Sequence, residues 1–177
     1  MKYIIYLLFF QTILFSQVKS IYAPVEKQMR LIPEQQTKSV QEIANYIQSN
    51  FKGEELQIKA AYFYVISTIS YDVTYNFSTE LFSSDEDFVT KTIATNKGVC
   101  IHYAKLFKAI VDKLGYQCQI VTGYTKQNNQ ISNLSHAWCA IKMQDKNWYV
   151  FDPTWDSGYV KNEKFVRNIV SKHFKML

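Results

Sequence analysis

Glycine and proline are scarce in this chain, with five and three in 177 residues. Together with the absence of low-complexity tracts and internal repeats, that scarcity excludes collagen-like, linker-like and solenoid architectures. Runs of like charge are missing too. Twenty basic and fifteen acidic residues give a net charge of +5, and the lysines are scattered instead of gathered into a stripe interleaved with aromatics. Nucleic acid is therefore not an expected partner. No long hydrophobic run occurs. The apolar start, Tyr3 to Leu8 with Phe10 and then Ile13 to Phe15, is broken by Gln11 and is short for a membrane span. With Lys2 ahead and Ser16 or Ser20 behind as small cleavage residues, residues 1–20 read as a signal peptide. The expectation is a secreted or periplasmic protein without stable membrane insertion after cleavage.

Cysteine is also sparse, and its count of three is odd. In an oxidising compartment Cys118 and Cys139 could pair and leave Cys100 as a reactive thiol. Equally, both sit in apolar, strand-like segments where a reduced cysteine is a small buried hydrophobe. No ligand pair has a usual zinc spacing, and Cys100 and His102 lie too close on a helix to share a face. No metal or cofactor is expected.

What the chain does have is apolar and aromatic side chains, 47% and 16% of its residues, enough for the core of one domain. Residues 21–34, with two prolines, read as an extended leader, and 35–177 as the domain. Apolar positions recur at helical spacing in 35–49, densely in 54–69, again from Ser84 or Asp85 to Ile93, and from Cys100 to Leu114, where Gly115 stops the helix. Residues 73–84 read as a loop. From Gln117 the pattern changes to strands: 117–125, a polar loop 126–133, then 135–142 and 148–151 as a hairpin. The form of 161–177 is open. Helices first and strands later predict an α+β domain, with the Cys100 helix packed on an antiparallel sheet of three or more strands.

Three residues in this layout suit thiol chemistry. A free thiol is mostly protonated at neutral pH and needs a positive local field and a base. Cys100 falls in the first turn of its helix, where partial positive charge and unpaired N–H groups concentrate. His136 supplies a base, and Asp152 a carboxylate to orient it. A three-residue turn at Gln144-Asp145-Lys146 puts Asp152 opposite Trp138, on the face of His136. A two-residue turn puts it opposite Cys139, on the wrong face. Trp138 and Trp155 are candidates for walling a substrate cleft, core packing being the alternative, and His102 is close enough to affect access to the thiol.

The residues Ile69-Ser70-Tyr71-Asp72, Lys97-Gly98-Val99-Cys100, Leu114-Gly115-Tyr116, Val121-Thr122-Gly123-Tyr124, His136-Ala137-Trp138 and Phe151-Asp152-Pro153-Thr154-Trp155 carry a resemblance. In order and spacing the chain resembles the transglutaminase-like superfamily of papain-type fold, in the branch related to the kyphoscoliosis peptidase. The resemblance implies Cys100 as nucleophile, His136 as general base and acid, Asp152 as orienting carboxylate, and an acyl-enzyme mechanism on a protein or peptide. Its products would be hydrolysis, glutamine crosslinking or deamidation. Cell-surface or cell-wall proteins are a candidate substrate group. His102 and Cys139 depart from the family pattern, which often has a small or acidic residue and an asparagine there. The rival expectation is a catalytically silent binding or scaffold module on the same fold.

Overall fold

The computed structural model describes residues 21–76, 82–127 and 129–177; the signal peptide expected over 1–20 lies outside them. Its helices surround one whose middle is buried on every side. Helix α1 spans Ala23–Met29, α2 Val40–Asn50 and α3 Glu54–Thr68. In α3 every residue from Ile58 to Ile66 is buried, as expected where, Lys59 apart, apolar residues occupy every side of the helix. By contrast α2 buries only the stripe Ile43, Ala44 and Ile47. Ser39 starts α2 by accepting the Glu42 N–H, so the helix begins at Val40, the first of the apolar positions in 35–49.

The expected extended leader is instead α1. Pro24 stands in its first turn, where the missing N–H has no helical partner to lose and the fixed φ suits a helix. Val25 and Met29 are buried as α1 packs on α3, so this segment belongs to the domain.

After α3 come the short strand β1 (Ser70–Tyr71), helix α4 (Asp85–Thr95), strand β2 (Lys97–Gly98) and helix α5 (Cys100–Lys113). Ser84 caps α4 by accepting the Asp87 N–H, and Asn96 ends it with a left-handed φ of 51°. Strands β1 and β2 pair in parallel, Tyr71 with Gly98. Helix α5 packs on α2, α3 and α4 and on the main sheet, burying Tyr103, Ala104, Leu106, Phe107, Ile110 and Val111.

The main sheet is antiparallel, in the order β3 (Gln117–Gln127), β4 (Gln130–Lys142) and β5 (Trp148–Phe151), so the domain is α+β as the sequence predicts. The supposed loop 126–133 is mostly strand, with Lys126 opposite Ile131 and Gln127 opposite Gln130 beyond an irregularity between Tyr124 and Lys126. Tyr124, Ile131 and Leu134 are exposed there, so this ribbon lacks the alternation that marks a half-buried strand.

Past β5 the tail takes a definite form. Helix α6 (Pro153–Ser157) leads into a separate hairpin of β6 (Gly158–Lys161) and β7 (Lys164–Arg167). Arg167 anchors the hairpin, its guanidinium donating to the Ile66 carbonyl at 2.5 Å and the Ile69 carbonyl at 2.9 Å. The Ile66 carbonyl lies in the last turn of α3, where carbonyls lack helical partners and a cation is favoured, and the Ile69 carbonyl also accepts the Tyr103 hydroxyl at 2.8 Å. The last residues then run beside β5. Val150 and Met176 exchange backbone hydrogen bonds of 2.8 and 2.9 Å, and the Asp152 N–H donates to the His173 carbonyl at 3.0 Å.

Buried charge ties both ends of the described chain to α3. Lys59, fully buried on α3, pairs with Glu26 of α1 at 2.9 Å and donates to Ser171 Oγ at 2.6 Å. Its ammonium faces the Phe174 ring at 4.8 Å and the Tyr22 ring at 5.1 Å, a cation–π arrangement. Nearby, Glu55 is shared by Tyr22 and Lys175.

Candidate active site

The β1–β2 pairing fixes where α5 starts. Ser70 and Asp72 donate to the carbonyls of Asn96 and Gly98, each at 2.9 Å, and Val99 is extended as the N-cap, so Cys100 becomes the first helical residue. His102 is buried against the Tyr75 and Phe88 rings. Its Nδ1 accepts the Val99 N–H at 3.2 Å. Its role is thus to cap α5, and it does not line the cavity beside His136. His102 also explains Gly98, since a Cβ there would stand 2.3 Å from the His102 side chain. Gly98→Ala is expected to displace the α5 start and slow Cys100 alkylation by an order of magnitude or more, measured as the iodoacetamide rate at pH 7.

The turn between β4 and β5 decides the rest. Lys142 pairs with Trp148, Met143 donates to the Asn147 carbonyl at 3.0 Å, and Lys146 takes a left-handed φ of 69°. Residues 144–146 form the loop, the three-residue alternative. With Cys139 opposite Phe151, the next position outward sets Asp152 against Trp138, on the His136 side. The His136 Nε2 lies 2.6 Å from Asp152 Oδ2. The two groups are nearly enclosed, at 9% and 5% exposure. Pro153 ends the ladder, and Asp152 Oδ1 caps α6 by accepting the N–H groups of Thr154 at 3.1 Å and Trp155 at 3.3 Å.

Cys100 meets the other side of the imidazole. Burial alone would push its thiol up, but the hydrogen bond to His136 and the Ala137 N–H, with the His136 charge and the Ile101 N–H, hold it below the ordinary thiol range. Burial likewise works against the His136 charge. Its hydrogen bonds to Asp152 and Cys100 overcome this and carry the imidazole up to about 9. With Nε2 engaged by Asp152, Nδ1 is the nitrogen left for the thiol. The arrangement favours thiolate and imidazolium together.

The two tryptophans enclose this imidazole. Trp155 stacks on it at 5.4 Å between centroids and Trp138 at 5.9 Å. Trp138 in turn covers Gly123, where a Cβ would come within 2.9 Å of the indole. The other two cysteines are buried thiols. The hydrogen bond with Cys118, with burial, pushes the Cys139 thiol up, and it donates to the Ala104 carbonyl at 3.3 Å. Among the described residues no group of three or more His, Cys, Asp or Glu could hold a metal ion, and no helix is long and apolar enough to cross a membrane.

Three contributors were not singled out from the sequence. The Tyr62 hydroxyl lies 2.8 Å from the Asp152 carbonyl and 2.7 Å from Asp156 Oδ2. Asp156 is fully buried and holds His173 through its Nδ1 at 2.9 Å, and His173 meets the Trp155 ring edge-on at 5.2 Å. The only sequence signal was an acidic residue directly after the Asp-Pro-Thr-Trp segment.

A thiol-bearing helix packed on an antiparallel sheet that carries a histidine–carboxylate pair is an arrangement similar to that of papain-like folds. Residues 41–153 match the model of the transglutaminase-like superfamily, and the chain belongs to that superfamily. It is 36% identical over 77 residues to the human and mouse kyphoscoliosis peptidases, covering 40% of this chain but 12% of those proteins. Among solved structures, it is similar to the periplasmic domain of TgpA from Pseudomonas aeruginosa. That match has 18% identity and a TM-score of 0.52, covering 77% of this chain and 50% of that one. A candidate cysteine protease from Cytophaga hutchinsonii matches at 20% identity and the same TM-score, over 85% of this chain and 47% of the other. The chain thus spans about half of these structures and a small part of the curated relatives.

Proposed function

We propose that this protein is an exported acyl-transfer enzyme acting on proteins or peptides, with Cys100 as nucleophile, His136 as acid and base, and Asp152 as the orienting group. The observation that carries the reading is the nearly enclosed His136–Asp152 pair at 2.6 Å beside the Cys100 thiol, with the thiol lowered and the imidazole raised. The Cys100 thiolate attacks a glutamine carboxamide or peptide carbonyl, forming the carbon–sulfur bond of a tetrahedral adduct. N–H groups at the start of α5 favour its oxyanion. The His136 imidazolium gives its proton to the departing nitrogen, which leaves as ammonia or an amine, and a thioester remains. Water or a second amine then attacks, His136 takes its proton, and the carbon–sulfur bond breaks to restore the thiolate.

The test incubates the full chain with a glutamine-bearing protein and a labelled primary amine. Mass spectrometry should show amine incorporation, conversion of glutamine to glutamate, or cleavage, none of which occurs with Cys100→Ala. Absence of all three, with equally slow iodoacetamide reaction at the three cysteines, would favour a silent binding module. Export is tested separately, by whether the protein recovered outside the cytoplasm begins after Ser16 or Ser20.

The pH dependence has a defined sign. Leaving-group departure needs a protonated His136, so kcat/KM is expected to fall as pH rises through about 9. Alkylation of Cys100 needs only the thiolate and should show no such decline. Because folding raises the His136 value above the ordinary 6.5, its contribution to stability is complete below that pH and lost as pH rises through about 9. Loss of turnover accompanied by alkylation of the buried Cys118 and Cys139 as fast as of Cys100 would assign the limb to unfolding instead of to proton donation.

A further inference from the structure

Beside His136 lies a cavity of about 600 Å³, within the usual range for ligand sites of about 300–1,000 Å³. Four of its walls are aromatic: Tyr71, Trp155, Tyr159 and Phe165. Val160 adds an apolar one, and no carboxylate lines it. We infer that this cavity is the specificity pocket of the proposed enzyme and seats a neutral aromatic side chain next to the reacting residue of the substrate. The inference rests on the acyl-transfer reading above and adds the class of residue selected.

The walls are held before any substrate arrives. Trp155 is fixed between the face of His136 and the edge of His173, and His173 is fixed by buried Asp156. Tyr71 is set by the β1–β2 pairing. The β6–β7 hairpin, which carries Tyr159 and Phe165, is locked to α3 and β1 through Arg167. Its approach is close at Gly158, where a Cβ would stand 2.2 Å from the Val166 carbonyl. A rigid aromatic enclosure rewards a planar apolar guest, because offset and edge-to-face ring contacts add to burial and no wall must be ordered on binding.

Aromatic walls can also attract cations, but the charge around the cavity argues against one. Besides its tyrosines, the cavity's titratable lining groups are His136 and His173. His136 favours its charged form, the carboxylate of Asp152 is committed to it, and that of Asp156 to Tyr62 and His173. A lysine side chain would therefore meet an imidazolium with no counter-charge of its own.

The test measures binding, so it does not depend on turnover. Full-chain Cys100→Ala is titrated with acetyl-X-Gln-amide and acetyl-Gln-X-amide, where X is Phe, Leu, Lys or Gly. The readouts are tryptophan fluorescence and the His136 ring resonances. In one series Phe is expected to bind about tenfold tighter than Gly and tighter than Lys. Tyr159→Ser, at a half-exposed position, should reduce the Phe advantage over Gly at least threefold. Val160→Asp should do the same and raise the Lys peptide. Equal binding of Phe and Gly in both series, preference for Lys, or a Phe advantage untouched by both substitutions would each overturn the inference. A Phe preference in a protein that turns nothing over would sink the enzymatic reading and leave the pocket. Turnover without that preference would do the reverse.

Discussion

Asp152→Asn is expected to lower turnover by about four orders of magnitude, the size of the effect of the same change in a Ser-His-Asp triad, with little loss of stability. The two oxygens of Asp152 have separate duties: Oδ1 caps α6 through Thr154 and Trp155, and Oδ2 holds His136. Asparagine can keep the cap with its carbonyl while presenting an NH2 group to His136. Nε2 must then accept, so the ring proton moves to Nδ1, the nitrogen left for Cys100, and in that tautomer the ring has no lone pair facing the thiol to take up its proton. The check is kcat for amine incorporation beside a thermal melt: a shift of more than a few degrees, or activity within tenfold of wild type, contradicts the account. Asp152→Ala should lose activity and also the cap, costing about 1 kcal/mol more.

The largest expected effect on stability lies far from the thiol, at Glu26→Ala. Lys59 is completely enclosed, and Glu26 is its only carboxylate partner among the described ion pairs. Removing that partner leaves an ammonium held by Ser171 Oγ and aromatic faces alone. Stripping one member from a buried pair typically costs about 3–5 kcal/mol. The lower end is expected here, because Glu26 is itself partly exposed. For a domain of this size about 3 kcal/mol corresponds to a fall in Tm of roughly 6–12 °C. Lys59→Met, which removes the charge and keeps the stem, should be within about 1 kcal/mol of wild type or more stable. If Glu26→Ala melts with the wild type, α1 is not fastened by this charge.

The sequence made some of this geometry legible and concealed the rest for physical reasons. The parity argument needed only the length of one turn, and the order Gln144-Asp145-Lys146 left two registers to choose between. Lys146 in a left-handed conformation selects the one that brings Asp152 to His136. The α5 start was readable because Gly98 and the apolar run after Cys100 bracket it. Helix α1 was obscured because Pro24 reads as a breaker unless its position in the first turn is known. The exposed ribbon around Tyr124 and Ile131 gave no alternation to read. The cavity was out of reach for another reason: Tyr71 and Phe165 are 94 positions apart, and long-range contacts such as those of Arg167 bring them together.

The backbone pairing of Val150 with Met176, and of Asp152 with His173, has a consequence for assembly. Strand β5 is an outer strand of the main sheet, and outer strands recruit extended segments from other molecules. Here the chain's own tail already occupies that row of donors and acceptors. Losing residues 172–177 would free the Val150 and Asp152 amides together, beside the proposed catalytic carboxylate. A neighbouring molecule, or an extended peptide in solution, could then add on as a further strand, so self-association and a misaligned Asp152 would arise from one clipping event.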